Sequence, residues 1–232
     1  MAHADKPIAC YVTDRKSLDS PANTDSAANL LEKIREALNA GADWVQIREK
    51  DLPGGRLLAL ARDSVAAANQ VAKMSSGDAA RVYVNDRLDV ALAAGAAGVH
   101  LGGESLPVAD VVRWCRAGNA PVDFQIGVSC HSVQAAVAAQ QDGANYIFFG
   151  PVFDTPSKRT FGAPQGLDLL REVRRAVRIP VIAIGGVDET NAEQCIRSGA
   201  YGVAAIRLFQ GTPKPEGLGK FISTLRATSR TP

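Results

Sequence analysis

A polar segment near the middle of the chain follows an apolar, aromatic run and carries groups that suit a phosphate. Residues 150–158 read GPVFDTPSK, so a β-rich run ends at a proline and is followed by two hydroxyls and a lysine. Hydroxyl and ammonium groups donate hydrogen bonds to phosphate oxygens. The segment therefore predicts an anion-binding loop.

Similar polar clusters follow other apolar runs along the chain. They read QIREK at 46–50, VND at 84–86, GVSCHS at 127–132 and IGG at 184–186. In a parallel α/β barrel the carboxyl ends of all strands lie at one face, where the active site is built. We therefore expect these clusters to meet in a single pocket.

Three side chains of the first cluster suit a diphosphate. Gln46, Arg48 and Lys50 alternate at the end of a predicted strand, so the period of two places them on one face. The arginine fork can bind two oxygens and the lysine adds a point charge. The alternative is a surface ladder of salt bridges with Glu49 and Asp51.

Asn85 and Asp86 end the next predicted strand. A carboxylate beside phosphates can hold Mg²⁺, with water and substrate as the remaining ligands. Alternatively, Asp86 caps the short helix that follows, and Arg87 pairs with Asp89 in solvent. The sequence leaves both interpretations open.

Two histidines lie near predicted strand ends. His131 follows Ser129, a hydroxyl that can bind a heterocycle, and the histidine itself can move protons. The stretch 129–132 is equally an N-cap for the next helix, and a cap at Ser132 would leave Ser129 free. His100, inside GVHLG, is expected to be packed and to have no catalytic role.

A phosphate site is predicted at the last two strands. Gly185 and Gly186 close the seventh predicted strand, and Ile206 and Arg207 lie near the end of the eighth. Exposed backbone amides with a short helix after these strands form the usual phosphate site of such barrels. The alternative is that the glycines only permit a tight turn. We expect two anion sites across one mouth, of diphosphate and monophosphate type.

The elements that position these residues are eight short β-rich runs, which alternate with segments of helical period. This pattern predicts an α/β fold, a (β/α)8 TIM barrel in a single domain spanning 1–232. The predicted strands are 8–13, 44–48, 81–85, 98–101, 124–129, 146–150, 180–185 and 202–208, and helical segments include 27–39, 57–72 and 168–177.

A weak repeat supports this fold. AGADW at 40, AGAAGV at 94, DGANYI at 142 and SGAYGV at 198 each end a predicted helix, with a glycine suited to a left-handed cap. The copies recur about every two βα units, as expected of a closed eightfold barrel. No GxGxxG follows the first strand, which argues against a dinucleotide-binding fold.

Composition excludes several classes of partner. The net charge of +2 gives no broad field for nucleic acid or an anionic membrane. The four cysteines show no zinc-binding spacing, and neither a signal-peptide pattern nor about 18 consecutive apolar residues is present. We expect a cytoplasmic protein with reduced thiols and small-molecule substrates, binding neither nucleic acid nor membranes; no pattern indicates its oligomeric state.

Six segments, taken together, resemble the thiamine phosphate synthase family over nearly the full chain, in order and spacing. They are QIREKDL, VNDRLDVALAAGAAGVHLG, IGVSCHS, FGPVFDTPSK, PVIAIGGV and GVAAI. The resemblance implies a transferase that joins 4-amino-2-methyl-5-hydroxymethylpyrimidine diphosphate to a thiazole phosphate. Pyrophosphate would leave first, and the thiazole nitrogen would capture the resulting pyrimidine cation.

The resemblance also implies roles for individual residues. Those matching the pyrimidine diphosphate site are Gln46, Ile47, Arg48, Glu49, Lys50, Asn85, Ser129 and Lys158, of which Arg48, Lys50, Ser129 and Lys158 are the catalytic candidates. Those matching the thiazole phosphate site are Thr155, Pro156, Ser157, Gly186, Ile206 and Arg207. Asp86 matches a Mg²⁺ ligand, so the implied cofactor is Mg²⁺.

The chain departs from the family pattern at two of these positions. Ser105 stands where the family has a second metal-binding aspartate, and Arg207 stands where it has a serine. Since the pocket loses an anion and gains a cation, we expect weaker Mg²⁺ binding by Asp86, water and the diphosphate, with Ser105 or Glu104 as a further ligand.

Two other functions compete with the synthase. A thiazole tautomerase of the same superfamily would use His131 on protons, but it would not need Lys50, Asp86 and Lys158. A non-catalytic ligand-sensing barrel would bind ligand without chemistry. The diphosphate and metal set favours the synthase.

Overall fold

The computed structural model describes residues 6–18, 26–75, 79–155, 163–211 and 215–230. Its eight parallel strands close into a barrel in chain order, β1 to β8. The strands are β1 Ile8–Val12, β2 Trp44–Ile47, β3 Arg81–Asn85, β4 Gly98–Leu101, β5 Gln125–Cys130, β6 Tyr146–Phe149, β7 Val181–Ile184 and β8 Gly202–Ala205. The predicted (β/α)8 fold is confirmed.

Helices follow each strand and pack around the barrel. They are α1 Ser26–Asn39, α2 Gly54–Ser75, α3 Leu88–Ala93, α4 Val108–Trp114, α5 Val133–Gln141, α6 Gly166–Ala176, α7 Ala192–Arg197, α8 Arg207–Gln210 and α9 Pro215–Ala227. In α1 the buried residues recur at helical spacing, as Leu30, Ile34, Ala37 and Leu38. None of the helices among the described residues is both long and apolar enough to cross a bilayer.

The strands are buried on both faces because the barrel is filled inside and covered by helices outside. Alternate residues of each strand therefore divide between two apolar clusters. The inner cluster contains Cys10, Val12, Trp44, Tyr83, Tyr146, Phe148, Ile182 and Ala204. The outer cluster contains the intervening residues, such as Tyr11, Val45 and Ile147, with the buried faces of the helices.

The repeated glycines end helices as the sequence predicts. Gly41, Gly95, Gly143 and Gly199 all have φ between +66° and +99°. Other residues adopt this left-handed conformation at a cost, so glycine is favoured where the chain turns from helix to strand.

The eighth strand is shorter than predicted. It ends at Ala205, and the predicted continuation to residue 208 is wrong because α8 begins at Arg207. Leu208 and Phe209 are buried from this helix, and Phe209 stacks on Tyr11. A short apolar run fits a buried strand or a buried helical turn equally well, so the pattern does not reveal the boundary.

Candidate functional site

The mouth of the barrel carries a chain of hydrogen bonds from β2 to the loop after β3. The Gln46 amide, buried inside the barrel, donates to Asn85 Oδ1 at 3.2 Å, and Asn85 Nδ2 donates to Asp86 Oδ2 at 2.6 Å. Inward-facing positions of adjacent strands thus bring together three residues that the sequence places in one site. Their linked amides fix the orientation of the Asp86 carboxylate.

Asp86 joins the loops after β3 and β4. Its Oδ1 accepts hydrogen bonds from the Gly102 amide, at 3.3 Å, and from the Ser105 hydroxyl, and Lys50 Nζ lies 3.9 Å from its Oδ2. The side chain does not cap α3, whose N-cap is Arg87, so the capping interpretation is wrong. The Arg87–Asp89 pair is present, with Nη2 to Oδ2 at 2.6 Å.

The backbone of Asp86 is unusual. Its φ of +61° is the one positive value at a non-glycine residue in the described ranges. Aspartate tolerates this region better than most residues, but at a cost of roughly 1 kcal/mol or more. Such local strain often accompanies a functional residue.

The QIREK segment divides between the mouth and the protein interior. Arg48 and Lys50 are exposed at the rim, and the Arg48 guanidinium makes no hydrogen bond or ion pair with any described residue. The Ile47 side chain is buried in the outer cluster, and Glu49 is buried against the end of β1. Ile47 and Glu49 can therefore contact substrate in this conformation only through their backbones.

Glu49 has a structural role that the sequence did not predict. Its Oε1 accepts from the Thr13 hydroxyl at 2.7 Å, and its Oε2 accepts from Arg15 Nη1 at 3.0 Å. Thr13 Oγ1 in turn accepts from the backbone amide of Arg48 at 2.9 Å. The ends of β1 and β2 are thus tied together beneath Arg48. Thr13 is the polar residue directly after the first apolar run, and this position was the sequence signal that could have identified it.

Glu49 and Asp51 form ion pairs with Arg15 and Lys16 rather than with Arg48 and Lys50, so the ladder predicted as the alternative is wrong in its cations. Arg15 bonds both carboxylate oxygens of Asp51, at 2.6 and 2.7 Å, as well as Glu49. These ion pairs hold the pKa of Asp51 well below its usual range, chiefly through the hydrogen bond from Arg15. The ladder engages residues 49 and 51 and leaves Arg48 and Lys50 at the mouth.

Ser129 lies on the inner face of β5, where its hydroxyl is 2.9 Å from His100 Nε2. His100 is buried, and this desolvation lowers its pKa to about 3, so the imidazole is neutral at pH 7. Ser132 caps α5 by accepting from Ala135 N at 3.1 Å, which leaves Ser129 to the mouth as predicted. His131 is exposed, with its Nδ1 against the Gly150 carbonyl.

The loops after β6 and β7 are fixed to each other. Val152 N donates to Ile184 O and Phe153 N to Gly185 O, both at 2.9 Å. Gly185 and Gly186 have φ of +92° and +66°, and a Cβ at Gly186 would lie 2.5 Å from Asp154 O. The tight-turn interpretation therefore fully explains glycine here, while the close approach brings the predicted phosphate loop to β7.

Thr155 and Arg207 meet on this side of the mouth. Arg207 is the first residue of α8, and its Nη2 donates a hydrogen bond to Thr155 Oγ1 at 3.1 Å. Ile206 is the N-cap of the same helix. Thr155 and Arg207 thus come together, and Gly186 lies beside the backbone of the residue before Thr155. Pro156, Ser157 and Lys158 lie outside the described residues, as does most of the loop 159–165.

The residues around Asp86 form a candidate metal site. The described ranges contain no group of three His, Cys, Asp or Glu side chains that could hold a metal ion. One carboxylate with an adjacent hydroxyl, open to the mouth, nevertheless fits Mg²⁺, which commonly takes one or two carboxylates plus waters and substrate phosphates. The donor set fits a weakly held ion that shares a diphosphate.

A separate cavity of about 330 Å³ lies at the opposite, amino-terminal face of the barrel. Arg81, Ala97 and Phe124, at the starts of three strands, are among its lining residues. It contains none of the predicted site residues. The chemistry-bearing groups are at the mouth, where ligands of such barrels bind.

Comparisons with known proteins bear on the family of the chain. The sequence profile of the family described as "Thiamine monophosphate synthase" matches residues 12–209. A thiamine-phosphate synthase of Roseiflexus castenholzii is 37% identical over 95% of this chain and 88% of its own length. One of Methanoculleus marisnigri is 44% identical over 76% of this chain and 78% of its own length.

A solved structure extends the likeness to three dimensions. Thiamine phosphate pyrophosphorylase from Pyrococcus furiosus superimposes with a TM-score of 0.77 at 28% sequence identity, covering 97% of both chains. The agreement thus extends over sequence, fold and length. The chain belongs to the thiamine monophosphate synthase family and is an enzyme of the thiamine-phosphate synthase type.

Proposed function

We propose that this enzyme joins 4-amino-2-methyl-5-hydroxymethylpyrimidine diphosphate to 4-methyl-5-(2-phosphoethyl)thiazole, giving thiamine phosphate and pyrophosphate. The observation that carries the proposal is the presence of two polar sets across one barrel mouth. The Gln46–Asn85–Asp86 chain lies at β2 and β3, and the Thr155–Arg207 pair lies at β6 to β8. Two phosphorylated heterocycles need such a pair of sites.

The first set suits a leaving diphosphate. Arg48 and Lys50 are exposed at the rim above buried Gln46. Negative charge grows on the diphosphate as its bond to the pyrimidine methylene breaks, and preoriented cations stabilise that charge more than they stabilise the bound substrate. Lys158 is proposed as a third cation, from the loop outside the described residues.

Mg²⁺ would be held by Asp86, with the Ser105 hydroxyl beside it and Glu104 exposed in the same loop. When bound, the ion would supply further positive charge to the diphosphate oxygens. Asn85 and the Gly102 amide donate to the carboxylate of Asp86 and hold it in one orientation.

The second set suits the thiazole phosphate. Arg207 supplies a cation at the start of α8, and Thr155 supplies a hydroxyl. Holding the thiazole across the mouth keeps its nitrogen near the pyrimidine methylene and excludes water that would trap a cation there. Covalent bond formation to the protein is not required, because the thiazole itself is the nucleophile.

The activity is tested by mixing the purified protein with both phosphorylated heterocycles and Mg²⁺. Thiamine phosphate and pyrophosphate should form together, and pyrophosphate release should depend on the thiazole. Conversion of the thiazole phosphate alone would instead identify a tautomerase. Ligand binding with no product from either substrate would identify a sensor.

Arg48→Ala should lower kcat by at least about tenfold, as expected for removal of one charged transition-state contact. Arg113→Ala is the matched control, since this exposed arginine of α4 pairs only with Asp110 among the described residues. An electron-withdrawing substituent on the pyrimidine should slow product formation if a cation forms. An unchanged rate would contradict the dissociative mechanism.

A further inference from the structure

In one layer of the barrel interior, a glycine on the middle of three neighbouring strands lets a tyrosine on the third strand reach a histidine on the first. His100, Gly127 and Tyr146 pair in register across β4, β5 and β6. A Cβ at Gly127 would overlap the end of the Tyr146 ring, so glycine leaves the space that this ring occupies. The Tyr146 hydroxyl thereby passes over β5 and lies 3.3 Å from His100 Nδ1.

Burial determines which group supplies the proton in this contact. His100 and Tyr146 are each 1% exposed, and the Tyr146 hydroxyl has no other hydrogen-bond partner in the described ranges. A buried phenol proton without an acceptor costs about 1–3 kcal/mol. The phenol therefore donates to Nδ1, and since a ring nitrogen that accepts a hydrogen bond carries no proton, the imidazole proton is on Nε2.

The tautomer sets the direction of the next hydrogen bond. Nε2–H donates to Ser129 Oγ across 2.9 Å, so the serine proton cannot point at His100. Ser129 is half-buried and makes no other side-chain hydrogen bond with a described residue. Its hydroxyl proton is left for a group in the mouth.

We propose that His100 is a positioning residue that holds the Ser129 hydroxyl as a donor towards an acceptor atom of the bound pyrimidine diphosphate, a ring nitrogen or a phosphate oxygen. Tyr146 fixes the tautomer that makes this possible. The substrate in this inference rests on the proposed function, whereas the proton arrangement is a property of the free protein. His100 itself does not touch the substrate.

The first test reads the tautomer directly. Nitrogen-15 spectra of the unliganded enzyme distinguish a protonated ring nitrogen from a bare one, and the chain has only three histidines to assign. We expect Nε2–H at His100, identified by its loss in His100→Gln. A proton on Nδ1 would overturn the proposal whatever the activity.

The second test compares two amides at the same position. Glutamine can place an N–H₂ near the position of Nε2, whereas asparagine reaches only as far as Nδ1. His100→Asn should lower kcat/KM for the pyrimidine diphosphate about tenfold to a hundredfold, and His100→Gln should restore most of it. Both variants must retain cooperative thermal unfolding near the wild-type temperature, which checks that they fold.

The same two substitutions in a Ser129→Ala variant show whether His100 acts on kcat/KM through Ser129. The Gln-to-Asn difference should vanish in Ser129→Ala, and an unchanged difference there would overturn the proposal. If no thiamine phosphate forms with the wild type, the proposed function fails and the substrate contact with it. An Nε2–H signal would even then support the arrangement of His100 and Ser129.

Discussion

The hydroxyl of Ser105 donates a hydrogen bond to the carboxylate of Asp86, joining the loops that follow β4 and β3. The same hydroxyl accepts from the Gly102 amide at 2.6 Å. A neutral donor thus occupies the place beside Asp86 where a second carboxylate would add charge to a cation site. We infer that this exchange weakens Mg²⁺ binding.

Replacing Ser105 by aspartate should therefore strengthen Mg²⁺ binding. Two adjacent carboxylates repel each other in the free enzyme and share the ion when it binds, so the Mg²⁺ dissociation constant should fall about tenfold or more. Isothermal titration without substrates measures it, and thermal unfolding should show a larger stabilisation by Mg²⁺ than in the wild type.

Ser105→Ala is the control for this comparison and should bind Mg²⁺ much as the wild type does. An unchanged constant in Ser105→Asp would show that the metal does not lie between residues 86 and 105. Submicromolar Mg²⁺ affinity after removal of both Asp86 and Glu104 would contradict the site altogether.

The left-handed backbone of Asp86 allows its chemical and conformational roles to be separated. Asp86→Gly and Asp86→Ala both lose the carboxylate, so both should lose nearly all synthase activity. Only alanine must adopt a φ of +61° with a Cβ, so Asp86→Gly should be about 1 kcal/mol more stable than Asp86→Ala. Urea unfolding measures the difference. Equal stabilities would show that the backbone relaxes at this position.

Glu49 offers a test of a structural carboxylate next to the mouth. Its buried oxygens accept from Thr13 and Arg15, so Glu49→Ala should lower the free energy of unfolding by about 3 kcal/mol, and Glu49→Gln by less. Asp51→Ala removes the exposed partner of Arg15 and should scarcely move the urea midpoint.

The activity of Glu49→Gln distinguishes support from substrate binding. If the carboxylate only holds the end of β2, this variant should retain kcat at temperatures where it stays folded. A large loss of kcat without a loss of stability would place the carboxylate of Glu49 on the substrate instead.

The sequence predicts the barrel well because its elements obey local rules. Apolar runs alternate with helical periods, and the glycines at 41, 95, 143 and 199 mark the turns between them. The place of the site follows from topology, since every polar cluster comes at the carboxyl end of a strand. The period of two also separates inward Gln46 and Arg48 from outward Ile47 and Glu49, although the family resemblance groups all four.

Register and side-chain direction could not be predicted in this way. The His100–Gly127–Tyr146 layer exists only once β4, β5 and β6 are aligned, and no local pattern connects residues so distant in the chain. The sequence suited Asp86 to a cap as well as to a metal site, and the cap is excluded only by the structure, in which Arg87 is the N-cap of α3 and Asp86 bonds to the loop after β4. Long-range pairing decided these cases.

Buried thiols predict a loss of stability at alkaline pH. Burial raises the pKa of Cys195 to about 12, from 9.0. The unfolded chain therefore releases the thiol proton above pH 9 while the folded chain keeps it. The stabilisation is complete below pH 9 and is lost as pH rises towards 12, by up to about 1.4 kcal/mol per pH unit.

Urea unfolding at several pH values between 8 and 10.5 measures this effect. The free energy of unfolding of the wild type should fall with rising pH, and that of Cys195→Ala should fall less steeply. Ile196→Val, a neighbouring buried change that does not titrate, should lower stability but keep the wild-type slope. Identical slopes in the wild type and Cys195→Ala would show that the thiol is accessible to solvent.

Arg207 should determine how strongly the thiazole phosphate is bound. Its guanidinium bonds Thr155 at 3.1 Å and is exposed to the mouth, so Arg207→Ser removes a cation that a phosphate can use. A hydrogen bond to a charged group contributes about 1.5–3 kcal/mol, so KM for the thiazole phosphate should rise about tenfold or more, with a weaker dependence on salt. KM for the pyrimidine diphosphate should change little because its site lies across the barrel.

Arg197→Ser, at the end of α7 away from the mouth, is the matched control. An unchanged thiazole KM in Arg207→Ser would mean that the arginine serves only to hold Thr155, and the charge would then have no part in choosing the substrate.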